Sequence, residues 1–188
     1  MDTNEIQTSR IRNFFTESAK KIIDSEGIKA LTVRNIGKHS GYSFGTMYNH
    51  FKNQKELIHI CIVDFLKDCK EFINNENLDT PNGKESLIAK SISFCNYFCK
   101  YPSRYAIIFT EQIKENAVNQ DLIDEIMNFF DLIFGNDYLA ITSSESINFE
   151  MFSERHKTLL IGAMNLYLLR RGKLDYQQFI NFLKNILS

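Results

Sequence analysis

LTVRNIGKHSGYSFGTMYNHFKNQKEL, residues 31–57, carries two short helical patterns on either side of a tight turn. The Thr32 hydroxyl stands where it can cap a helix running to about His39. Ser40–Gly41–Tyr42 makes the turn, and Ser43 caps a second short helix ending near Phe51. Val33, Ile36, Met47 and Phe51 are spaced to face inward, which leaves Ser43, Gly45, Thr46, Tyr48, Asn49 and His50 outside. So short a helix buries little apolar area. It presents hydroxyls, an amide and an imidazole, groups that bond phosphates and base edges. Gly45 has no side chain, so a partner can approach the backbone closely there. Lys52 and Lys55 flank the exit. Asn53 is placed to cap the next helix with Glu56 three residues on, and the amides of that helix start are suited to a phosphate. In a helix-turn-helix, the second helix enters the major groove while neighbouring elements hold the backbone.

The remainder of the chain also reads as helix. Upstream, Ile11, Phe14, Phe15, Ser18, Ala19, Ile22 and Ile23 recur at three- and four-residue steps over 8–25, and Gly27 follows as a stop. Downstream, Leu57, Ile60, Cys61, Phe65, Leu66, Cys69 and Phe72 form one long stripe. The polar run NNENLDTPNG, residues 74–83, reads as a domain-scale linker. Helices are expected over 84–100, 104–117, 121–134, about 150–171 and 175–187, with a loop over 135–148. Only 2 Pro and 8 Gly punctuate 188 residues, which disfavours a strand-rich fold with its many turns. The expected architecture is all-α: a three-helix domain over 1–55, and a second helical domain over 56–188.

The overall net charge of −1 conceals an asymmetry. Residues 1–55 hold nine Lys or Arg against five Asp or Glu, a net of +4; residues 56–188 hold thirteen against eighteen, a net of −5. A basic head on an acidic body suits a head that meets phosphate. The N-terminus has no apolar signal region, and the longest apolar stretch, Leu159 to Leu169, falls short of a bilayer span. A cytoplasmic protein with reduced thiols and no membrane partner is expected. Cys95 and Cys99 lie one helical turn apart with no His or acidic residue at matching spacing, so they read as small buried residues and no metal or cofactor is assigned. His39, His50, His59 and His156 are scattered away from any recognised catalytic spacing, and there is no Gly-rich phosphate loop. Nothing here recommends an enzyme.

Residues 31–57 resemble the DNA-binding domain of the TetR family of transcriptional regulators. The matching residues are Thr32, Val33, Arg34, Ile36, Gly41, Ser43, Gly45, Thr46, Met47, Tyr48, His50, Phe51 and Leu57, with Lys52 and Lys55 in the basic exit. Three positions depart from the family pattern. Gly37 replaces the usual alanine, which should weaken its helix by ~1 kcal/mol; Ser40 replaces a small apolar residue; Tyr42 replaces valine. The resemblance implies that Thr32, Tyr48, His50 and Lys55 hold phosphates while Ser43, Phe44, Thr46 and Asn49 lie nearest base edges, with Arg34, Gly45 and Lys52 in the same surface. It further implies a four-helix dimer bundle built from the last two helices, through Leu159, Leu160, Ala163, Met164 and Tyr167 on one and Phe179 and Leu183 on the other. An effector pocket would be lined by Phe94, Tyr97, Phe98, Phe109, Gln112, Phe129 and Phe130. The implied function is a ligand-responsive repressor that binds a palindromic operator as a homodimer. The partners are then double-stranded DNA, a small-molecule effector and a second copy. The competing reading is a helical protein-interaction adaptor without DNA binding.

Overall fold

The computed structural model describes residues 3–76, 80–110, 120–169 and 172–187. Regular structure among them is helical throughout. In order come α1 (Thr3–Glu26), a single 3₁₀ turn (Ile28–Ala30), α2 (Val33–Ser40), α3 (Phe44–His50), α4 (Gln54–Asn75), α5 (Lys84–Lys100), α6 (Pro102–Tyr105) with a π turn after it (Ala106–Thr110), α7 (Gln120–Glu145), α8 (Phe149–Leu168) and α9 (Tyr176–Leu187). None of the described helices is long and apolar enough to cross a membrane.

The chain forms two compact units: residues up to Phe65 together with Ser103–Ile108, and Leu66–Pro102 together with the residues from Phe109 on. The expected boundary after residue 55 falls in the first turn of α4, whereas the units divide further along that helix. Residues 74–83 do not separate them, because their described parts belong to the second unit on both sides.

The first unit is built on the stripe of α1. Phe15, Ala19, Ile22 and Ile23 are fully buried with Ile36, Met47 and Leu57. Phe14, expected in that stripe, is half exposed, with its ring 6.1 Å from that of Tyr42. Gly27, at φ +80, turns the chain out of α1 while its amide bonds the Ile22 and Ile23 carbonyls. α6 from Ser103 on belongs to this unit. Its Arg104 holds Asp24 through two parallel hydrogen bonds of 2.8 and 2.7 Å and lies over the Phe65 ring.

In the second unit, α7 overturns the expected loop over 135–148: the helix runs unbroken to Glu145. Asn, Asp, Thr and Ser give this segment a poor intrinsic helix propensity, but Phe134, Asp137, Tyr138, Ile141 and Thr142 are all buried. Packing supplies what propensity lacks. Asp137, with no exposure at all, accepts hydrogen bonds from the Gly83 amide (3.0 Å) and the Lys90 ammonium (2.7 Å), so the buried charge is paired. The helix expected over 104–117 is, in its described part, α6 and the π turn; residues 111–119 lie outside the described residues.

Burial within the single chain bears on two further expectations. The stripes assigned to a dimer interface face inward. Leu160, Met164 and Leu183 have no exposure, Ala163 and Phe179 almost none, and Tyr167 stacks on Phe179 at 4.3 Å within the same chain. Leu159 is half-buried. The rings assigned to an effector pocket are packed core: Phe94 lies 4.8 Å from Phe98 and 5.8 Å from Phe130, and Phe129 lies 5.6 Å from Phe130. Tyr97 packs edge-on against Phe98, and Phe109 is half-buried against Phe94 and Phe98. Gln112 lies outside the described residues.

Candidate nucleic-acid interface

The helix-turn-helix is held by side chains that satisfy backbone ends. The Thr32 hydroxyl accepts from the Asn35 amide at 3.2 Å and starts α2; the Ser43 hydroxyl accepts from the Thr46 amide at 3.1 Å and starts α3. Gly41, at φ +74, closes α2 in the left-handed region that side chains resist. Ser40 reinforces the turn by donating to the Gly37 carbonyl and accepting from the Tyr42 amide. Gly37 has a steric reason to differ from alanine, since a Cβ there would stand 3.0 Å from the Tyr42 carbonyl oxygen. Tyr42 uses its bulk to cover Phe14 and Phe15.

Sequence reasoning missed the brace behind α3. From α1, Arg12 donates to the His50 carbonyl at the end of α3 and to Glu56 at 2.8 Å, and its guanidinium lies 4.4 Å from the Phe51 ring centre. Glu56 in turn accepts from the Lys52 amide at 2.6 Å. The hydrogen bond from Arg12, with the Lys52 amide behind it, holds the Glu56 carboxyl below its usual range. Asn53 caps α4 through the Glu56 amide, and Gln54 reaches back to the Leu31 carbonyl. Two amides near the start of α4 are thus already occupied by the chain itself. No local pattern in the sequence announces it: Arg12 shares its side of α1 with the buried Phe15, Thr16 and Ala19.

On this frame, Met47 is the buried residue of α3 and Val33 is only half-buried. Phe44, Gly45, Tyr48 and Asn49 are exposed, with Phe44 at 66% and Tyr48 at 52%. Thr46 and His50 are half-buried, while Thr32, Arg34, Ser43, Lys52 and Lys55 are exposed. Exposing Phe44 and Tyr48 side by side on a seven-residue helix is costly unless a partner covers them. Ser43 and Thr46 also bond one another at 2.9 Å, so their hydroxyls are partly committed to the helix. Beside Gly45 there is room for a Cβ within the chain, its nearest neighbour being the Ser43 hydroxyl at 3.6 Å, so packing inside the chain does not require glycine there. Among the described residues, no cluster of three or more His, Cys, Asp or Glu is placed to hold a metal. All four cysteines are free thiols; burial pushes Cys61 up to about 12 and Cys95 well above the usual thiol range.

An all-helical chain with a capped, braced two-helix unit showing polar and aromatic side chains defines a helix-turn-helix DNA-binding protein. Comparison with known proteins agrees. The family described as "Bacterial regulatory proteins, tetR family" matches residues 15–60. HTH-type transcriptional regulator SAB2452 of Staphylococcus aureus (strain bovine RF122 / ET3-1) is 34% identical over 172 residues, covering 84% of this chain and 90% of that protein. A TetR-family transcriptional regulator from Rhodococcus sp. shares the fold at TM-score 0.71 and 12% identity, covering 95% of this chain and 97% of its own. FadR from Bacillus subtilis, solved with stearoyl-CoA, does so at TM-score 0.68 and 15% identity, covering 93% and 96%. The chain belongs to the TetR family and is a DNA-binding transcriptional regulator.

Proposed function

We propose that the chain binds a palindromic operator as a homodimer and represses transcription until a small effector releases it. The observation that carries the reading is the exposed row Phe44, Tyr48 and Asn49 on a helix whose other side is pinned by Met47 and Arg12. Tyr48, His50, Thr32 and Lys55 hold phosphates. Asn49, Phe44 and Thr46 meet base edges, where an amide pairs well with adenine and an aromatic edge with a thymine methyl. Gly45 keeps the helix axis close to the groove floor.

One such helix reads only a few base pairs, so a second copy doubles the site. Support for dimerisation comes from the outer face of α8 and α9. Leu166, Leu169 and Phe182 are 54%, 47% and 40% exposed, and Gly162 beside them admits a neighbouring helix closely. This face replaces the inward stripe as the proposed interface. An effector releases DNA only if it binds the released arrangement better than the bound one. α4, shared between the two units, is the natural lever. The stearoyl-CoA of FadR shows what a protein of this fold accommodates and does not fix the effector class here.

Selection of bound fragments from a random duplex pool, followed by gel-shift titration, tests the reading. Tyr48→Ala weakens every selected sequence, whereas Asn49→Ala alters preference among them. Unchanged binding by both variants overturns the assignment.

A further inference from the structure

α1 reaches past the frame it packs on. It runs parallel to α4 within the first unit: Arg12 donates to Glu56 at 2.8 Å, the Cys61 thiol donates to the Thr16 carbonyl at 3.9 Å, and Lys20 donates to Asp64 at 3.3 Å. Phe15, Thr16, Ser18 and Ala19 are buried along this stretch, whereas residues 5–10 are all exposed. In that register Arg10 is level with Gln54, where α4 begins. At 1.5 Å per residue, Thr3–Arg10 therefore carries α1 roughly 10 Å beyond the start of α4. The exposed residues of these turns add nothing to the core.

They stand beside the turn that leads into α3. Ile6, Gln7, Arg10, Ile11, Phe14 and Tyr42 line one concave surface, and Tyr42 immediately precedes the Ser43 cap. Ile6, Arg10 and Phe14 follow one another at four-residue steps, with Ile6 47% and Phe14 50% exposed. The Arg10 stem thus lies along apolar surface while its charged head stays in water. Arg10 pairs with no carboxylate among the described residues. Glu5 lies on the adjoining face of the helix with Thr8, Ser9 and Arg12.

An unpaired guanidinium on a surface continuous with the start of the groove-entering helix fits an anion that borders that groove. We propose that the first turns of α1 extend the nucleic-acid interface. Arg10 holds a phosphate of the strand beside the N-terminal end of α3, in the fork geometry that guanidinium and phosphate share, and Gln7 donates its amide to the same stretch of backbone. The inference rests on α3 entering the major groove and adds a contact outside α2, α3 and the start of α4. Phosphates are alike at every step, so this contact fixes register and orientation while α3 reads the bases.

Salt titrations of the full chain on a panel of selected duplexes test the contact. Arg10→Gln weakens binding to every duplex about tenfold per bound copy and makes the plot of log Kobs against log salt shallower by ~0.9 per copy, the share of one phosphate. Arg10→Lys, which keeps the charge, keeps the slope. Lys21→Gln removes one charge from an exposed lysine about three turns further along α1 and leaves affinity and slope unchanged. Arg10 is exposed, so the urea midpoint of Arg10→Gln matches that of the native chain. Native affinity and slope in Arg10→Gln overturn the contact. An equal loss in Lys21→Gln reduces the effect to net charge and also overturns it. A changed preference among duplexes places Arg10 on base edges and overturns the backbone assignment. If the native chain binds no duplex, the operator reading and this contact fall together; if Tyr48→Ala weakens binding and Arg10→Gln does not, this contact falls alone.

Discussion

Individual residues of the helix-turn-helix divide into those that hold it and those that show a face to a partner. Gly37 belongs to the first set. Exchanging it for alanine ordinarily stabilises a helix by ~1 kcal/mol, but the added Cβ meets the Tyr42 carbonyl oxygen at 3.0 Å. Gly37→Ala is expected to bring no gain, read as an unchanged or lowered urea midpoint; a midpoint raised by the full helix increment would show that the turn yields. Arg12 is a second holding residue. Arg12→Ala frees the His50 carbonyl, Glu56 and the Phe51 ring at once, and is expected to cost about 2 kcal/mol of stability by denaturant titration. These residues also show what a sequence reveals. Thr32, Ser43 and Asn53 were legible as caps because capping is local, spanning three residues. Arg12 was not, because its partners stand 38 and 44 positions away and no local pattern announces such a contact.

At the level of elements, α7 and α8 carry the clearest difference between pattern and outcome. The extension of α7 through 135–145 opposes local propensity, yet Phe134, Tyr138 and Ile141 do keep a helical spacing; Ser, Thr and Asn between them obscured it. α8 is apolar on two sides. Periodicity found the stripe Leu160, Ala163, Met164 and Tyr167 but could not say whether it met the same chain or another, and the structure puts it inside while Leu166 and Leu169 stay outside. The link between these helices should titrate. Burial lowers His156 from about 6.5 to about 4, so the native state keeps the ring neutral while the unfolded chain takes up a proton. The unfolded state therefore binds more protons between these values, and stability falls as pH drops from 6.5 to 4, by at most ~3 kcal/mol, then levels off for this group. Urea midpoints across that range should decline more steeply for the native chain than for His156→Gln. Parallel declines would place the pH dependence in other groups.

For the molecule as a whole, the basic and acidic halves recognised in the sequence correspond closely to the two units, although the division comes at Phe65. The proposed function requires two copies. Leu166→Glu or Phe182→Glu, both on the outer face of α8 and α9, should convert a dimer to a monomer in sedimentation while leaving helicity intact; a dimer that persists in both would move the interface elsewhere. The account's central claim is that the outer side of α3 lies in a duplex groove with phosphates held around it. Its most direct test is the affinity of the purified chain for a selected duplex as a function of salt. Binding should weaken steeply, log Kobs falling linearly against log salt with a slope of about −0.9 for each phosphate neutralised, and Tyr48→Ala should lower the affinity at every salt concentration. An affinity indifferent to salt, or no binding to any duplex in dilute buffer, would contradict it.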